Sequence, residues 1–371
     1  MFKDSELVHV SSRSNEWAEK DFASLLDEME EKTTRTHSVP VCSIRLTAVP
    51  SSFAMPAGMS EVEKDTADHG THLFLSAEGV PFVGIRETAL PSLYQRIGIA
   101  QAALKDAPLD EAVSILNRIA SYNRRDKFLA VVSDGKLNAA LSDGASSMSY
   151  RVIKQRDVFN QMREIAVGLN NGAEPNGFSG IWSFASMGAQ WIIDRRAHIG
   201  GKEFKTAVTL VTSDIGNNAI NLSASLYANG MTIPMMSNLT IEHRKKNTSF
   251  NVLNAVQSLE EAASRSEQNL NDLADIPIAN GENCAMHLAH DIGLPKRLSM
   301  RTISERGRLG ELSGEDFNAL DVYFVLADVV NRYCKAQPSP SLQMRMRGNL
   351  LKAIGTIWSL YDRPEPFTWT D

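Results

Sequence analysis

The stretch LVTSDIGNNAINLSASLYANGMTIPMMSNLTIEHRKKN, residues 210–247, decides the fold class. Together with the three residues before it, its apolar side chains come in short runs, at residues 207–212, 219–222, 231–235 and 239–243, separated by polar or turn-forming residues. Ser213, Asp214 and Gly216 suit a polar turn, since an aspartate caps exposed backbone N–H groups and a glycine accepts positive φ. Asn229-Gly230 is the dipeptide of a two-residue hairpin, where both central positions need φ above zero. Short strands joined by tight turns pair antiparallel, so the stretch predicts a largely antiparallel sheet.

The order of these features resembles the phage/plasmid-like protein family called domain of unknown function 932. That family runs from Ser-Asp/Glu-x-Gly through an apolar strand and Asn-Gly to a histidine with basic neighbours. Here the matching positions are Ser213, Asp214 and Gly216, then Asn229 and Gly230, then His243 with Arg244, Lys245 and Lys246. Upstream, residues 90–99 (LPSLYQRIGI) and 125–148 (RDKFLAVVSDGKLNAALSDGASSM) are similar to two further family segments, so the likeness spans roughly the middle half of the chain. The family usually carries an arginine and a cysteine shortly before Asn-Gly, where this chain has Leu226, Tyr227 and Ala228. Roles tied to those two residues do not transfer. The resemblance implies a phage- or plasmid-borne protein and leaves its biochemistry open.

Working outward, residues 73–75, 128–132 and 137–141 read as strands, the last two closed into a hairpin by Ser133-Asp134-Gly135. Residues 181–185 form another. Residues 108–122 space Leu109, Val113, Leu116 and Ile119 three or four apart behind a proline and two acids, which predicts a helix. Residues 158–169 predict a second, closed by Asn171 and Gly172. Near the start, Trp17, Phe22, Leu25, Leu26 and Met29 fall at helical spacing among acids, giving an amphipathic helix over residues 15–32. Beyond residue 250 the period becomes 3.6, through Val252, Leu253, Val256, Leu259, Leu270 and Leu273, and helices at 320–333 and 342–360 follow before Pro364 and Pro366. The expectation is an α+β fold with a mostly antiparallel central sheet, flanking helices and a C-terminal helical section. Residues 1–70 form an acidic arm and hinge, 71–248 an α+β core with the family-like motifs, and 249–371 a helical region.

At 371 residues the chain can bury a sizeable core, and 43% hydrophobic with 22% charged residues is ordinary for a globular protein. Residues 1–80 hold 14 acidic and 7 basic side chains, a balance of −7 that leaves +1 for the rest. The acidity thus belongs to the N-terminal arm. Three cysteines, Cys42, Cys284 and Cys334, stand far apart without a Cys-x-x-Cys pair and read as reduced. The opening MFKDSELVHV has no apolar core of a secretory signal, and the apolar run at 322–330 is too short to span a bilayer. Together these predict the cytoplasm of a bacterial host and no membrane partner.

The common catalytic signatures are absent: no phosphate-loop Gly-x4-Gly-Lys-Ser/Thr, no Gly-x-Gly-x-x-Gly, no His-Glu-x-x-His, no Gly-x-Ser-x-Gly. Ser213 has no histidine near it in sequence to activate it, and the turn reading is favoured. Cys284, His287 and Asp291 share one face of a helix over ENCAMHLAHD, with His290 about a hundred degrees from His287. Packing beneath that helix is the favoured reading, as solvated turn residues are for Asp68, His69 and His72. No catalytic residue, metal site or cofactor is assigned.

Basic clusters are the functional lead. Arg195, Arg196, His198, Lys202 and Lys205 surround Gly200-Gly201 and follow Trp191, while His243 to Lys246 close the motif block. If neighbours on the sheet, they would grip a phosphate backbone, with Trp191 stacking on a base. This predicts a non-catalytic protein contacting nucleic acid, single-stranded DNA above all. Two readings compete. In one, Lys296, Arg297, Arg301, Arg306 and Arg308 meet the acidic arm of the next copy in a self-assembling homo-oligomer. In the other, the protein binds a small nucleotide and blunts host defence.

Overall fold

The computed structural model describes residues 8–12, 15–31, 35–50, 71–86, 89–104, 107–133, 135–143, 153–182, 186–213, 219–228, 231–241, 252–310, 312, 317–336 and 340–369. The chain is α+β, with two mostly antiparallel sheets and a C-terminal helical section. The strands are β1 (Val8–Ser12), β2 (Arg35–Pro40), β3 (Arg45–Pro50), β4 (Thr71–Ala77), β5 (Val80–Ile85), β6 (Lys127–Ser133), β7 (Lys136–Ser142), β8 (Gly177–Trp182), β9 (Met187–Ile199), β10 (Lys202–Thr212), β11 (Ile220–Ala228) and β12 (Met231–Ile241). The helices are α1 (Asn15–Glu31), α2 (Leu90–Ile97), α3 (Leu109–Tyr122), α4 (Gln155–Leu169), α5 (Val252–Ala274), α6 (Gly281–Asp291), α7 (Lys296–Arg308), α8 (Ala319–Ala336) and α9 (Pro340–Leu351). Among the described residues no helix is long and apolar enough to cross a membrane.

Where one central sheet was expected there are two. The first runs β2-β6-β7-β5-β4-β3, and only β5 and β7 pair parallel. The β6–β7 hairpin closes as the Ser133-Asp134-Gly135 turn predicts, with Ser133 opposite Lys136. α2 and α3 cover one face, setting Leu93, Ile97, Val113 and Leu116 against Leu75, Val83, Ile85, Phe128 and Leu137. Asp110 and Glu111 in the first turn of α3 complement the helix dipole, and Gly98 ends α2 at φ 98°.

The second sheet runs β1-β8-β9-β10-β11-β12, every pair antiparallel. The two weak strands expected at 231–235 and 239–243 are one strand, β12, whose register slips opposite Ser223 and Ser225. On the sheet's inner face, Met187, Ala189, Trp191, Val208, Leu210 and Leu222 pack under α1, α4 and α5. Asn171 at φ 56° and Gly172 at φ 82° end α4, as its sequence requires.

Elements of the three expected segments share sheets and cores. The N-terminal segment is no arm: β1 pairs with β8, and α1 lays Phe22 so close to Gly180 that a Cβ there would stand 2.5 Å from the ring. Glu19 accepts from Arg163 at 2.6 Å and Asp27 pairs with Arg156 at 3.0 Å, so the acidic face of α1 is anchored to α4 of its own chain. Of the hinge expected over 50–70, residues 51–70 lie outside the described residues, and Pro50 ends β3 paired with Thr71 of β4. The helical C-terminus shares a core with the second sheet, because Ala197, Ile199, Phe204, Leu226, Ile233 and Met235 need a cover that α5 to α9 supply.

Strand β12 is an edge, and α8 closes it. Asn331 donates to the Thr232 carbonyl at 2.8 Å and accepts the Thr232 N–H at 3.1 Å, while Tyr323 donates to the Pro234 carbonyl at 2.9 Å. Proline fits there because an edge strand tolerates a missing donor. Asn117 of α3 does the same for edge strand β3, accepting Leu46 N–H at 2.7 Å and donating to its carbonyl at 2.9 Å. Replacing Asn331→Ala strands one donor and one acceptor beneath a helix and should cost about 1–3 kcal/mol of unfolding free energy in urea titration. An unchanged midpoint would show that water replaces the carboxamide at no loss.

Candidate functional site

The structure spends most of the predicted basic hairpin on its own acids. Arg195 pairs with Glu267 at 3.0 Å, Arg196 with Glu203, His198 with Glu203 at 3.6 Å, and Lys205 with Asp194 at 3.9 Å. Lys202 lies 5.9 Å above the ring of Phe324. The turn itself is docked, since Asn271 of α5 accepts Gly200 N–H at 2.9 Å and donates to the His198 carbonyl at 3.0 Å. Trp191, expected to stack on a base, is fully buried: β9 begins at Met187, so alternation turns residue 191 inward. Its ring packs 5.5 Å from Phe159 and its N–H reaches Glu19 at 3.2 Å.

His243, Arg244, Lys245 and Lys246 lie outside the described residues. Ile241, the last described residue before them, pairs with Ile220 at the end of the sheet opposite Gly200-Gly201. Asp214, Gly216, Asn229 and Gly230 also lie outside the described residues, and Ser213 is fully buried at the end of β10. Of the α7 cations, Arg306 is held by Asp328 of α8 at 2.8 Å.

The helix carrying Cys284, His287 and Asp291 forms as expected, but packing governs it. Cys284 is fully buried, and burial, with Asp362 nearby, pushes its thiol up to about 12. Asp291 accepts the Tyr361 hydroxyl at 2.6 Å. His287 stands 4.5 Å from Phe367, and His290 stands 5.4 Å from Trp369. These contacts strap the C-terminal segment over α6. Asp362 anchors the strap by accepting the N–H groups of Ala279 at 2.9 Å and Asn280 at 2.7 Å. No group of three metal-competent side chains occurs among the described residues. Asp68 and His69 lie outside them.

A more capable site lies on the other face of the second sheet. Strand register sets Ser179 beside Gln190, Gln190 beside Thr209 and Thr209 beside Ser223, a polar row across β8, β9, β10 and β11. Ile181, Gly188 and Val211 form the row next to it. Over this face the end of α8 and the length of α9 enclose a cavity of about 440 Å³, bordered by Lys335, Gln343 and Arg347. Gln190 Nε2 donates to Thr209 Oγ1 at 3.1 Å and to Thr232 Oγ1 at 3.3 Å. Arg347 Nη1 also donates to Thr209 Oγ1, at 3.3 Å. A hydroxyl oxygen that accepts twice keeps its own proton to give.

Arg347 is the unusual member. Burial drives its pKa down from the ordinary value, with Cys334 the opposing neighbour, and no carboxylate among the described residues pairs with it. Guanidinium stays charged in proteins, so the cleft holds a partly buried cation with most of its five donors unspent. Sequence reasoning missed this site. Its traces were slight: Thr209 inside the apolar run AVTLV, and Arg347 between Met346 and Gly348 on a helix with no clear apolar stripe.

No protein-family model matches the chain, and neither a curated protein nor a solved structure does.

His287 makes the strap sensitive to acid. Burial, then Arg363, holds its pKa below the ordinary 6.5, so the folded chain favours the neutral ring. The associated stability is present above 6.5 and is lost as pH falls through the lowered folded value. Between pH 7.5 and 5.5 the urea midpoint should therefore fall further for the natural chain than for His287→Gln; equal falls would remove His287 as the cause.

Proposed function

We propose that the chain is a non-catalytic binding protein whose cleft over the second sheet takes a small anionic ligand, a phosphorylated nucleotide. The carrying observation is Arg347, a partly buried cation unpaired among the described residues, poised beside Thr209, Gln190 and Thr232 on the cavity wall. A phosphate would accept from the guanidinium and from Thr209, with Lys335 adding charge at the rim. The row of Ile181, Gly188 and Val211 offers an apolar floor for the rest of the molecule. In a mobile-element protein, which the family resemblance suggests, such a cleft would sequester a nucleotide signal of the host. Contact with single-stranded DNA through the β9–β10 hairpin has less support, since Arg195, Arg196 and Lys205 already face carboxylates. A homo-oligomer joined through the acidic arm has less support too, because α1 is engaged by its own α4 and β8.

Thermal-shift and calorimetric titration against mononucleotides and linear and cyclic dinucleotides test the reading. At least one should raise the melting midpoint of the natural chain. Arg347→Met should abolish that rise while itself melting no lower, because it removes an unpaired cation from a half-dry site. No response from any nucleotide, or an undiminished response in the variant, overturns the proposal.

A further inference from the structure

A second cleft, also of about 440 Å³, opens at one end of the first sheet, far in sequence from Arg347. It is bordered by Gln95 and Arg96 from the last turn of α2, by Arg125, Asp126 and Lys127 where α3 passes into β6, and by Ser142 and Asp143 where β7 ends. The strands bring these together: Phe128 pairs with Ser142, and Pro40 pairs with Lys127.

The rim is rigid. Asn123 donates to the Asp126 carboxylate at 2.9 Å and accepts the Asp126 N–H at 3.2 Å, closing the turn that carries Arg125. Val41 N–H then binds the Asp126 carbonyl at 3.0 Å and pins the turn to the sheet. Gly98 fixes the other wall by ending α2 with its N–H on the Tyr94 carbonyl at 3.0 Å.

Charge in the cleft is lopsided and unspent. Arg96, Arg125 and Lys127 outnumber Asp126 and Asp143, and none of the three cations forms an ion pair among the described residues. The carboxylate of Asp126 is occupied by Asn123. Arg96 Nε is buried with no hydrogen-bond partner among the described residues. Its Nη groups are not shut off in this way, and an incoming oxyanion can accept from them. A tetrahedral group with three oxygens can take the Arg96 Nη groups on one and the two outer cations on the others. A carboxylate, with two oxygens, leaves one cation unmet.

We infer that this cleft is a phosphate-binding site, distinct from the Arg347 cleft, with Arg96 as its inner donor and Arg125 and Lys127 as its outer ones. The phosphate belongs either to a free small molecule or to the backbone of a single strand. Titration of the full chain with pyrophosphate, and separately with a twenty-nucleotide oligothymidine, tells the sources apart.

The Arg96 Nε–Hε proton, assigned by its disappearance in Arg96→Lys, should shift on binding. Affinity for the bound probe should fall by about tenfold or more in Arg96→Lys and in the exposed pair Arg125→Gln with Lys127→Gln. Binding of pyrophosphate alone assigns a free phosphate, and binding of the oligonucleotide alone, with the same dependence on these residues, assigns a backbone. The inference is overturned if neither probe moves the Arg96 resonance, or if both variants bind as the natural chain does.

Discussion

A carboxamide that carries donor and acceptor side by side is the device on which this architecture turns. An open sheet leaves the N–H and C=O groups of its edge strands unmet, and burying them unmet is costly. Here asparagines on helices take the place of the missing strand. Asn117 joins α3 to Leu46 at one edge and Asn331 joins α8 to Thr232 at another. The same side chain repairs irregular backbone: Asn271 holds the β9–β10 turn, and Asn170 accepts the N–H of Asp194, where β9 slips register against β10. Each contact both satisfies the strand and dictates where a helix lies. Because Asn331 seats α8 against β12, the end of that helix and the following α9 reach over the sheet's second face and make a cleft of it.

Electrostatics divide along the same lines. Where cations are plentiful and exposed, as on the β9–β10 hairpin, carboxylates of the same chain stand beside them, and surface pairs of that kind contribute little to stability. Where cations border a cleft, at Arg347 and at Arg96, no acid among the described residues answers them. Both proposed binding sites rest on that contrast.

The one misplaced aromatic shows how much depends on where a strand begins. The expectation sets Trp191 just ahead of a basic segment and free to stack on a base, but β9 is a thirteen-residue strand starting at Met187, and its fifth side chain stands on the inward face. Arg195 has the same parity as Trp191 and leaves the core where the register slips, while Arg196 and His198 stand on the opposite face. A shift of a single residue would have exchanged the two sets.

Local chemistry alone determined the class of the fold: period-two runs, the Ser133-Asp134-Gly135 turn, the helix stop at Asn171-Gly172 and the change to period 3.6 after residue 250 all act between residues close in the chain. It also located α6 and the burial of Cys284. What it could not determine is which strands share a sheet, because β1 finds β8 and β2 finds β6 across long intervals through pairings that no composition records. The acidic arm became a packed layer for that reason. The two clefts are of the same kind: Gln190, Thr209, Thr232 and Arg347 are unremarkable where each stands in sequence, and only antiparallel register and the seating of α8 and α9 bring them around one cavity.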